Sequence, residues 1–232
     1  MSVTVIVPAY KPGEKFSRLM ESLKKQTLLP DKVIIMNTEK KFWKDSMING
    51  VKGAEVFHIT KAEFDHGKTR ALAAEMTDSE FLVYFTQDAV PADDHTLEYL
   101  LKPFRDPQIG AVYGRQLPDK DCRLIESYTR SFNYPGTSRK KTKADLPALG
   151  IKTFFCSNVC AAYRKSIYEE MGGFSFPAIF NEDMVMAGNM IKKGYAVFYA
   201  ADARVIHSHN YTWRQQFRRN FDLAVSQADH PE

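Results

Sequence analysis

The sequence predicts an α/β protein whose mostly parallel sheet is flanked by helices, and three observations support this prediction. Short apolar runs typical of strands alternate with amphipathic stretches typical of helices through the first half of the chain. The run at residues 81–85 is apolar at every position, which indicates a strand buried on both faces, as in a parallel sheet. At 232 residues the chain is long enough for one large domain.

The elements of the first half are predicted in chain order. Strands are predicted at residues 3–7, 33–36, 55–59, 81–85 and 109–113. Between them, apolar spacing and helix-forming residues predict helices at 16–23, 69–76 and 97–104. Strands separated by helices form right-handed βαβ units, so we expect the helices to cover the faces of the sheet.

The alternation becomes less regular after Gly114. Helices are predicted at residues 124–132, 164–171 and 184–193, short strands at 197–199 and 204–206, and a basic loop at 135–143. Apolar residues recur at helical spacing near the end, at Trp213, Phe217, Phe221 and Val225. We therefore expect one domain over residues 1–210, followed by an amphipathic helix in the segment 211–232.

Composition restricts the class of protein only modestly. The hydrophobic share of 44% and the charged share of 26% are ordinary for a globular protein, and no apolar run is long enough to span a bilayer. The cysteines, Cys122, Cys156 and Cys160, are odd in number and match no common zinc spacing, which favours a reduced, cytoplasmic setting. Cys156 and Cys160 could be ligands or small buried residues.

The net charge of +4 includes two local clusters. One covers residues 139–143, and the other consists of Arg214, Arg218 and Arg219. Such clusters suit an anionic membrane surface, a diphosphate ligand or a nucleic acid, and they equally suit a solvated loop and helix face.

Polar residues follow several predicted strands. Tyr10, Asn37, Asp65 and Asp88 each stand at or soon after a strand end. Because the carboxyl ends of parallel strands face one crevice, we expect these side chains to converge there. Asp88 could instead cap the helix that begins near Asp93 or satisfy a turn ahead of Pro91.

Cations and further acids suggest additional chemistry. Lys68 and Arg70 begin a helix after Asp65 and could bind a diphosphate, although surface charges are the alternative. Glu182 and Asp183 begin another helix, where a carboxylate could act as a base or simply cap the helix.

A histidine pair follows the last predicted strand. His207 and His209 lie two residues apart, which places their side chains on one face of an extended chain. Together with Asp88 they could bind a divalent metal, or they could be structural histidines.

Six segments together resemble glycosyltransferase family 2, the inverting enzymes with the GT-A fold, and within it a bacterial rhamnosyltransferase-like branch. These segments are residues 5–10, 64–70, 86–91, 113–116, 181–183 and 213–222. They occur in order along nearly the whole chain. The segments 64–70 and 86–91 resemble that branch in particular.

The resemblance implies a role for each matching residue. The donor-binding residues would be Pro8, Ala9, Tyr10, Asn37, Asp65, Lys68, Arg70, Gln87 and Asp88, and the catalytic residues Asp183 and Glu182. The metal ligands would be Asp88, His207 and His209, and the acceptor side would comprise Cys156, Ser157, Asn158 and Trp213. Thr86 replaces the first acid of the family's metal-binding motif.

The resemblance also implies substrates and partners. We expect dTDP-L-rhamnose as donor, with a UDP-sugar as the alternative, Mn²⁺ or Mg²⁺ as cofactor, and a glycan or lipid-linked saccharide as acceptor. The donor would bind to residues 1–114, and the acceptor would bind to residues 115–210. An anionic membrane surface is a further expected partner, at the inner face of the cell membrane, and a nucleic acid is not. Relatives often continue beyond the position of Glu232, so we expect a truncated chain.

Two other classes of protein compete with this interpretation. A nucleotidyltransferase would share the sheet but usually needs a glycine-rich phosphate loop, and residues 11–13 contain a single glycine. A non-catalytic protein that binds nucleotides or nucleic acid would not need Asp88 and Asp183 together.

Overall fold

The computed structural model describes residues 1–178 and 180–228, and the elements below belong to that part of the chain. Its strands are β1 (Val3–Tyr10), β2 (Lys32–Thr38), β3 (Ala54–Ile59), β4 (Phe81–Phe85), β5 (Val90–Pro91), β6 (Ile109–Leu117), β7 (Arg139–Lys141), β8 (Cys160–Arg164) and β9 (Ala196–Ile206). Its α-helices are α1 (Glu14–Leu23), α2 (His66–Glu75), α3 (Thr96–Leu101), α4 (Leu124–Asn133), α5 (Leu146–Leu149), α6 (Lys165–Glu170), α7 (Glu182–Lys193) and α8 (Trp213–Ala228).

The described strands form one sheet in the order β3-β2-β1-β4-β8-β6-β9-β5, with β7 paired to β9. The first four of these run parallel. Strand β8 lies antiparallel between β4 and β6, whereas β6 and β9 are parallel to each other. The predicted α/β class with a helix-flanked sheet is confirmed, and its second half is mixed rather than parallel.

Strand β4 explains why the first half could be predicted so directly. Its alternate residues Phe81, Val83 and Phe85 belong to the apolar layer that contains α1 and α3. Leu82 and Tyr84 belong to the opposite layer, which contains residues of α2, α6 and α7. Both faces are buried, and each such large side chain stabilises the fold by about 1.5–3 kcal/mol relative to an exposed one.

Strand β8 was not predicted. Its sequence, Cys160-Ala-Ala-Tyr-Arg164, contains no β-branched residue, and small side chains give no local signal for a strand. Its place between two longer strands is decided by tertiary pairing, with Tyr84 opposite Ala161 and Val112 opposite Ala162.

Strand β9 replaces two short predicted strands. Its pairing with β6 shifts between Gly114, opposite Ala200, and Arg115, opposite Arg204. The extra residues on β9 form an irregularity that interrupts the apolar pattern without ending the strand. Because β6 itself passes through residue 114, the two predicted halves share one sheet, and their division at that residue stays a prediction.

The predicted C-terminal helix is present as α8. Ser226 Oγ donates a hydrogen bond of 2.5 Å to the carbonyl of Phe180, and Asn181 Nδ2 donates one of 3.3 Å to the carbonyl of Leu223. The end of the predicted segment, residues 229–232, lies outside the described residues. Among the helices that are described, none is both long and apolar enough to cross a bilayer.

Candidate active site

Three potential metal ligands meet where β4 and β9 end. Asp88 follows β4, and His207 and His209 follow β9. His207 Nε2 lies 3.5 Å from Asp88 Oδ1, and His209 Nε2 lies 3.5 Å from Asp88 Oδ2. One ligand atom from each residue lies within 4.8 Å of the others. The alternative that Asp88 caps a helix is wrong, because the backbone N–H of His95 before α3 donates to Asp93 instead.

Gln116, on β6, fixes the orientation of His207. Its Oε1 lies 2.9 Å from His207 Nδ1 and also accepts a hydrogen bond from Arg130 Nη1. An arginine can only donate, so this amide atom is the oxygen and His207 Nδ1 bears the proton. The lone pair of His207 Nε2 is therefore left to face Asp88, as in ligands whose second nitrogen is held by a supporting residue.

The same glutamine is itself held by two partners. Its Nε2 donates to the hydroxyl of Tyr134 at 2.5 Å and to Ser157 Oγ at 3.0 Å. This arrangement leaves Gln116 no freedom to rotate its amide without losing hydrogen bonds. The tautomer of His207 is thus determined by a network that extends from β6 to α4 and to the segment before β8.

The donor set of this cluster fits a divalent cation. Burial lowers the pKa of His207, and it lowers the pKa of His209 to about 4, so both imidazoles are neutral near pH 7. Burial alone would raise the pKa of Asp88, but the two histidines in their protonated form outweigh that effect and hold the pKa below its ordinary value, so Asp88 is already ionised at acid pH. One carboxylate and two neutral imidazoles are a suitable set of ligands for Mn²⁺ and similar ions.

Asp183 begins α7 and has the properties of a general base. Its Oδ2 accepts a hydrogen bond of 2.8 Å from the backbone N–H of Asn158, and its Oδ1 accepts one of 2.8 Å from Met184. Burial, followed by the negative charge of Glu182, raises the pKa of Asp183 to about 7. A carboxylate with such a pKa can accept a proton efficiently near neutral pH.

Glu182 lies in a different environment from its neighbour. Its Oε1 is 3.3 Å from Arg70 Nη1. The side chain of Glu182 is 6% exposed and that of Arg70 is 5% exposed. Asn158 Nδ2 donates to the same oxygen at 3.1 Å, and Asn158 Oδ1 accepts from Tyr163 at 2.8 Å. The predicted catalytic role of Glu182 and donor-side role of Arg70 stay predictions; in the structure the two side chains bind each other.

Asp65 is the N-cap of α2. Its Oδ1 accepts a hydrogen bond of 2.8 Å from the backbone N–H of Lys68, and its Oδ2 accepts one of 2.7 Å from Ala178. Gly67 allows this contact, because a Cβ there would lie 2.0 Å from the carbonyl oxygen of Ser175. The Lys68 side chain is exposed at the start of the helix.

The predicted nucleotide side is formed by the adjacent ends of β1 and β2. Ala9 pairs with Asn37, and Pro8 and Tyr10 occupy the flanking positions. Asn37 is fully buried, and its Nδ2 is 3.0 Å from His58 Nδ1, while its Oδ1 has no protein partner. A buried acceptor without a partner is costly, so this oxygen is available to a ligand N–H.

Two further contacts shape this edge. Gln87 exchanges two hydrogen bonds with the backbone of Tyr10, at 3.0 and 2.9 Å, and so connects the residue before Asp88 to the end of β1. The Tyr10 ring packs against Phe42 with centroids 5.9 Å apart. Gln87 is therefore engaged with the protein backbone, and its donor-binding role stays a prediction.

The predicted acceptor-side residues divide into two groups. Ser157 contacts Gln116, which holds His207, and Asn158 contacts Asp183, while burial raises the pKa of the neighbouring Cys156 to about 12. Cys156 and Cys160 are small buried residues, at 2% and 1% exposure. Trp213 is 79% exposed at the start of α8.

Several residues of the site were given no role by the sequence. Gln116 belonged to a recognised segment, but nothing local indicated that it would hold a histidine. Arg130, Tyr134 and His58 come from elements whose neighbours are set only by the tertiary fold. Pairing across strands of distant sequence position is the information that a single sequence lacks.

Comparison with known proteins shows the family to which the chain belongs. The model of "Glycosyl transferase family 2" matches residues 4–172. The O-antigen chain rhamnosyltransferase RfbN of Salmonella typhimurium is 44% identical over 232 residues, covering 100% of this chain and 74% of that protein. The O-antigen chain rhamnosyltransferase WbaN of Salmonella anatum is 41% identical and covers 99% and 73%.

Solved structures show the same fold at low sequence identity. The mannosyltransferase PcManGT from Pyrobaculum calidifontis, in complex with GDP-Man and Mn²⁺, gives a TM-score of 0.72 at 18% identity and covers 98% of this chain and 63% of that one. TarS 1–349 of S. aureus with UDP-GlcNAc gives 0.68 at 15% identity, covering 93% and 61%. The chain thus spans less than two thirds of these solved chains and about three quarters of the curated relatives.

The solved structures show that the fold is GT-A, and the family model with the curated relatives shows that the protein is a glycosyltransferase. The chain belongs to glycosyl transferase family 2, which the family model and both curated relatives establish. The resemblance inferred from the sequence is therefore confirmed, as is the assignment to a transferase.

Proposed function

We propose that the chain transfers L-rhamnose from dTDP-L-rhamnose to a hydroxyl group of a surface-polysaccharide acceptor, with inversion at the anomeric carbon. One observation is decisive for the site: residues 157–158 contact both of its parts. Ser157 binds Gln116, which holds His207, and the N–H of Asn158 binds Asp183. The potential metal-ligand cluster and a base of near-neutral pKa are thereby connected to the same short segment.

The choice of sugar rests on the relatives. Both curated relatives are named as O-antigen chain rhamnosyltransferases, and the likeness extends over essentially the whole of this chain. Identity of 44% and 41% supports a shared donor sugar and a related acceptor more strongly than the fold alone does, because solved structures with the same fold were obtained with GDP-Man or UDP-GlcNAc.

The donor would be held at two places. Asp88, His207 and His209 would hold a divalent cation, which supplies charge neutralisation for the leaving diphosphate. Asn37 Oδ1 would accept the N3–H of a pyrimidine base beside Tyr10. Thymine and uracil both present this N–H, so a UDP-sugar is the alternative donor at the same site.

Asp183 would perform the chemical step on the acceptor. Its carboxylate takes the proton of the acceptor hydroxyl, and that oxygen forms a bond to the anomeric carbon. The bond between this carbon and the diphosphate oxygen breaks on the opposite side, and its electron pair leaves with dTDP. A single displacement of this kind inverts the configuration. The backbone N–H groups of Asn158 and Met184 hold the carboxylate in place.

A donor screen by thermal shift tests this proposal. The protein is heated with dTDP, UDP, GDP and their sugar conjugates, each with and without Mn²⁺. We expect dTDP and dTDP-rhamnose with Mn²⁺ to give the largest rise in melting temperature. A ligand present at about 100 times its Kd stabilises the folded protein by about 2.7 kcal/mol. A larger shift with UDP-sugars would select the alternative donor, and no shift with any nucleotide would contradict a transferase site.

A further inference from the structure

Helices α4 and α8 both present apolar side chains to solvent. On α4, Leu124, Tyr128 and Phe132 are 85%, 70% and 60% exposed. On α8, Trp213, Phe217 and Phe221 are 79%, 72% and 60% exposed. We call these six residues the aromatic face. Within each helix they recur every four residues, so they lie along one side of it.

The apolar residues of α4 and α8 do not pack into the protein core. Among the described residues, no side chain of α4 is buried, and Ser226 is the only buried residue of α8. An amphipathic helix normally packs its apolar side against the protein. The apolar side of these two helices instead faces outwards, where large contiguous apolar surfaces usually mark a binding site.

The two helices begin side by side. The backbone N–H of Arg123, just before α4, donates to Asn210 Oδ1 at 2.9 Å, and its Nη1 donates to the carbonyl of Tyr211 at 3.2 Å. Asn210 in turn donates to the carbonyl of Asp121 at 3.0 Å. The starts of the two halves of the aromatic face are therefore held together at the segment that follows the metal-ligand cluster.

Basic residues accompany the aromatic face. Arg214 and Arg218 are exposed on α8, and Arg123 is exposed before α4. Lys152 Nζ lies 4.8 Å from the ring centroid of Phe132. The main acid of α4, Glu126, is neutralised by Arg130 at 2.5 Å. The surface is consequently both apolar and positively charged.

We propose that α4 and α8 together form a docking surface for an anionic phospholipid bilayer. Helices that lie in the membrane interface combine Trp, Phe and Leu on one side with Lys and Arg beside them, as these do. The positive charge is complementary to anionic headgroups, and aromatic rings prefer the headgroup level. The stacking of His209 on Tyr211, with centroids 4.8 Å apart, places the metal-ligand cluster next to this surface.

Vesicle binding read from Trp213 tests the proposal. The sequence contains two tryptophans, so Trp43→Phe leaves Trp213 as the only one, and all variants are made in that background. Titration with vesicles of phosphatidylcholine plus phosphatidylglycerol should shift the Trp213 emission to the blue, and brominated lipid should quench it. Pure phosphatidylcholine should bind at least tenfold more weakly. Added salt should weaken binding, because screening shortens the electrostatic range to about 10 Å at 0.1 M.

Paired variants assign the binding to the two helices. Arg214→Gln with Arg218→Gln should weaken vesicle binding by roughly 20–30-fold, since each basic residue near an anionic membrane contributes about fivefold. The control, Arg18→Gln on α1 with Lys25→Gln just after α1, removes the same charge elsewhere and should bind like the parent. If the α8 variant and its control weaken vesicle binding equally, the proposal is overturned, because the loss would then depend on net charge and not on the position of the residues.

The α4 half is tested separately. Tyr128→Gln with Phe132→Gln should weaken binding by at least tenfold, whereas Leu29→Gln with Leu72→Gln, at exposed apolar positions elsewhere, should not. Unchanged circular dichroism shows that each variant folds.

If the α4 variant binds vesicles as tightly as the parent protein, a docking surface made of both helices is refuted. An absence of any Trp213 shift with anionic vesicles, or a lipid-free dimer in sedimentation equilibrium that the α4 and α8 variants abolish, would also overturn it. None of these readouts depends on donor or turnover.

Discussion

Gln116 Oε1 lies 2.9 Å from His207 Nδ1, and this one contact decides which nitrogen of His207 faces Asp88. Because Arg130 donates to the same oxygen, the amide cannot be reversed without placing two donors against each other. A potential metal ligand is therefore oriented by a residue that lies outside the cluster of Asp88, His207 and His209.

Replacing Gln116 should weaken the metal site without removing a ligand. Gln116→Leu preserves approximate volume and removes the acceptor for His207 Nδ1. We expect the affinity for Mn²⁺ in the presence of dTDP to fall by about 10- to 100-fold, as for other residues that support metal ligands. Titration calorimetry measures it, with Gln108→Leu as the control. Wild-type affinity in Gln116→Leu would show that His207 needs no such support.

Breaking the buried pair of Arg70 and Glu182 should destabilise the fold. Arg70→Met and Glu182→Gln each leave one buried partner without its counterpart, at a cost of about 3–5 kcal/mol. The double variant Arg70→Met/Glu182→Met should recover much of that loss, because an apolar pair can replace a buried ion pair. Urea unfolding measures all three. If each single variant loses less unfolding free energy than the double variant, the two side chains do not stabilise the fold through their pairing.

The raised pKa of Asp183 predicts the pH dependence of transfer. The base must be deprotonated, so kcat/KM should fall on the acid side with an apparent pKa of about 7. Asp183→Asn should abolish transfer at every pH. A profile that stays flat down to pH values near the ordinary carboxyl pKa of about 4 would exclude this residue as the base.

The free energy of unfolding should decrease with rising pH, whereas kcat/KM should increase. Folding raises the pKa of Asp183 from 3.8 to about 7, so the folded state binds this proton more tightly than the unfolded state. The resulting stabilisation is complete below pH about 4 and is lost as the pH rises to about 7. The unfolding free energy of the wild type, relative to Asp183→Asn, should therefore decrease over that interval. A constant difference would show that the pKa is not raised.

Asn37 should contribute to nucleotide affinity. Asn37→Ala removes the buried oxygen that has no protein partner, so dTDP should bind about tenfold more weakly, the equivalent of one hydrogen bond of about 1.4 kcal/mol. Asn49→Ala, on an exposed connection, serves as the control for binding by calorimetry. Unchanged dTDP affinity in Asn37→Ala would place the base elsewhere.

The sequence predicted the parallel half of the sheet because its strands are apolar on both faces and its helices have regular spacing, as at residues 81–85 and 16–23. It also indicated that Asp88, His207 and His209 could lie together, as they do, because each follows a regular element; their roles and that of Asp183 stay predictions. It could not predict β8, whose small residues become a strand only between two others. It could not predict the role of Gln116 or the pairing of Arg70 with Glu182, which depend on contacts between distant parts of the chain.

The most direct test of the account is the binding of dTDP, in the presence of Mn²⁺, to three forms of the protein by titration calorimetry. The wild type and Asp183→Asn should bind dTDP with nearly equal affinity, since Asp183 acts on the acceptor. Asp88→Asn should bind it at least tenfold more weakly, and its binding should no longer depend on Mn²⁺. Binding to Asp88→Asn that equals that of the wild type and keeps its dependence on Mn²⁺ would contradict the assignment of this cluster as the metal site.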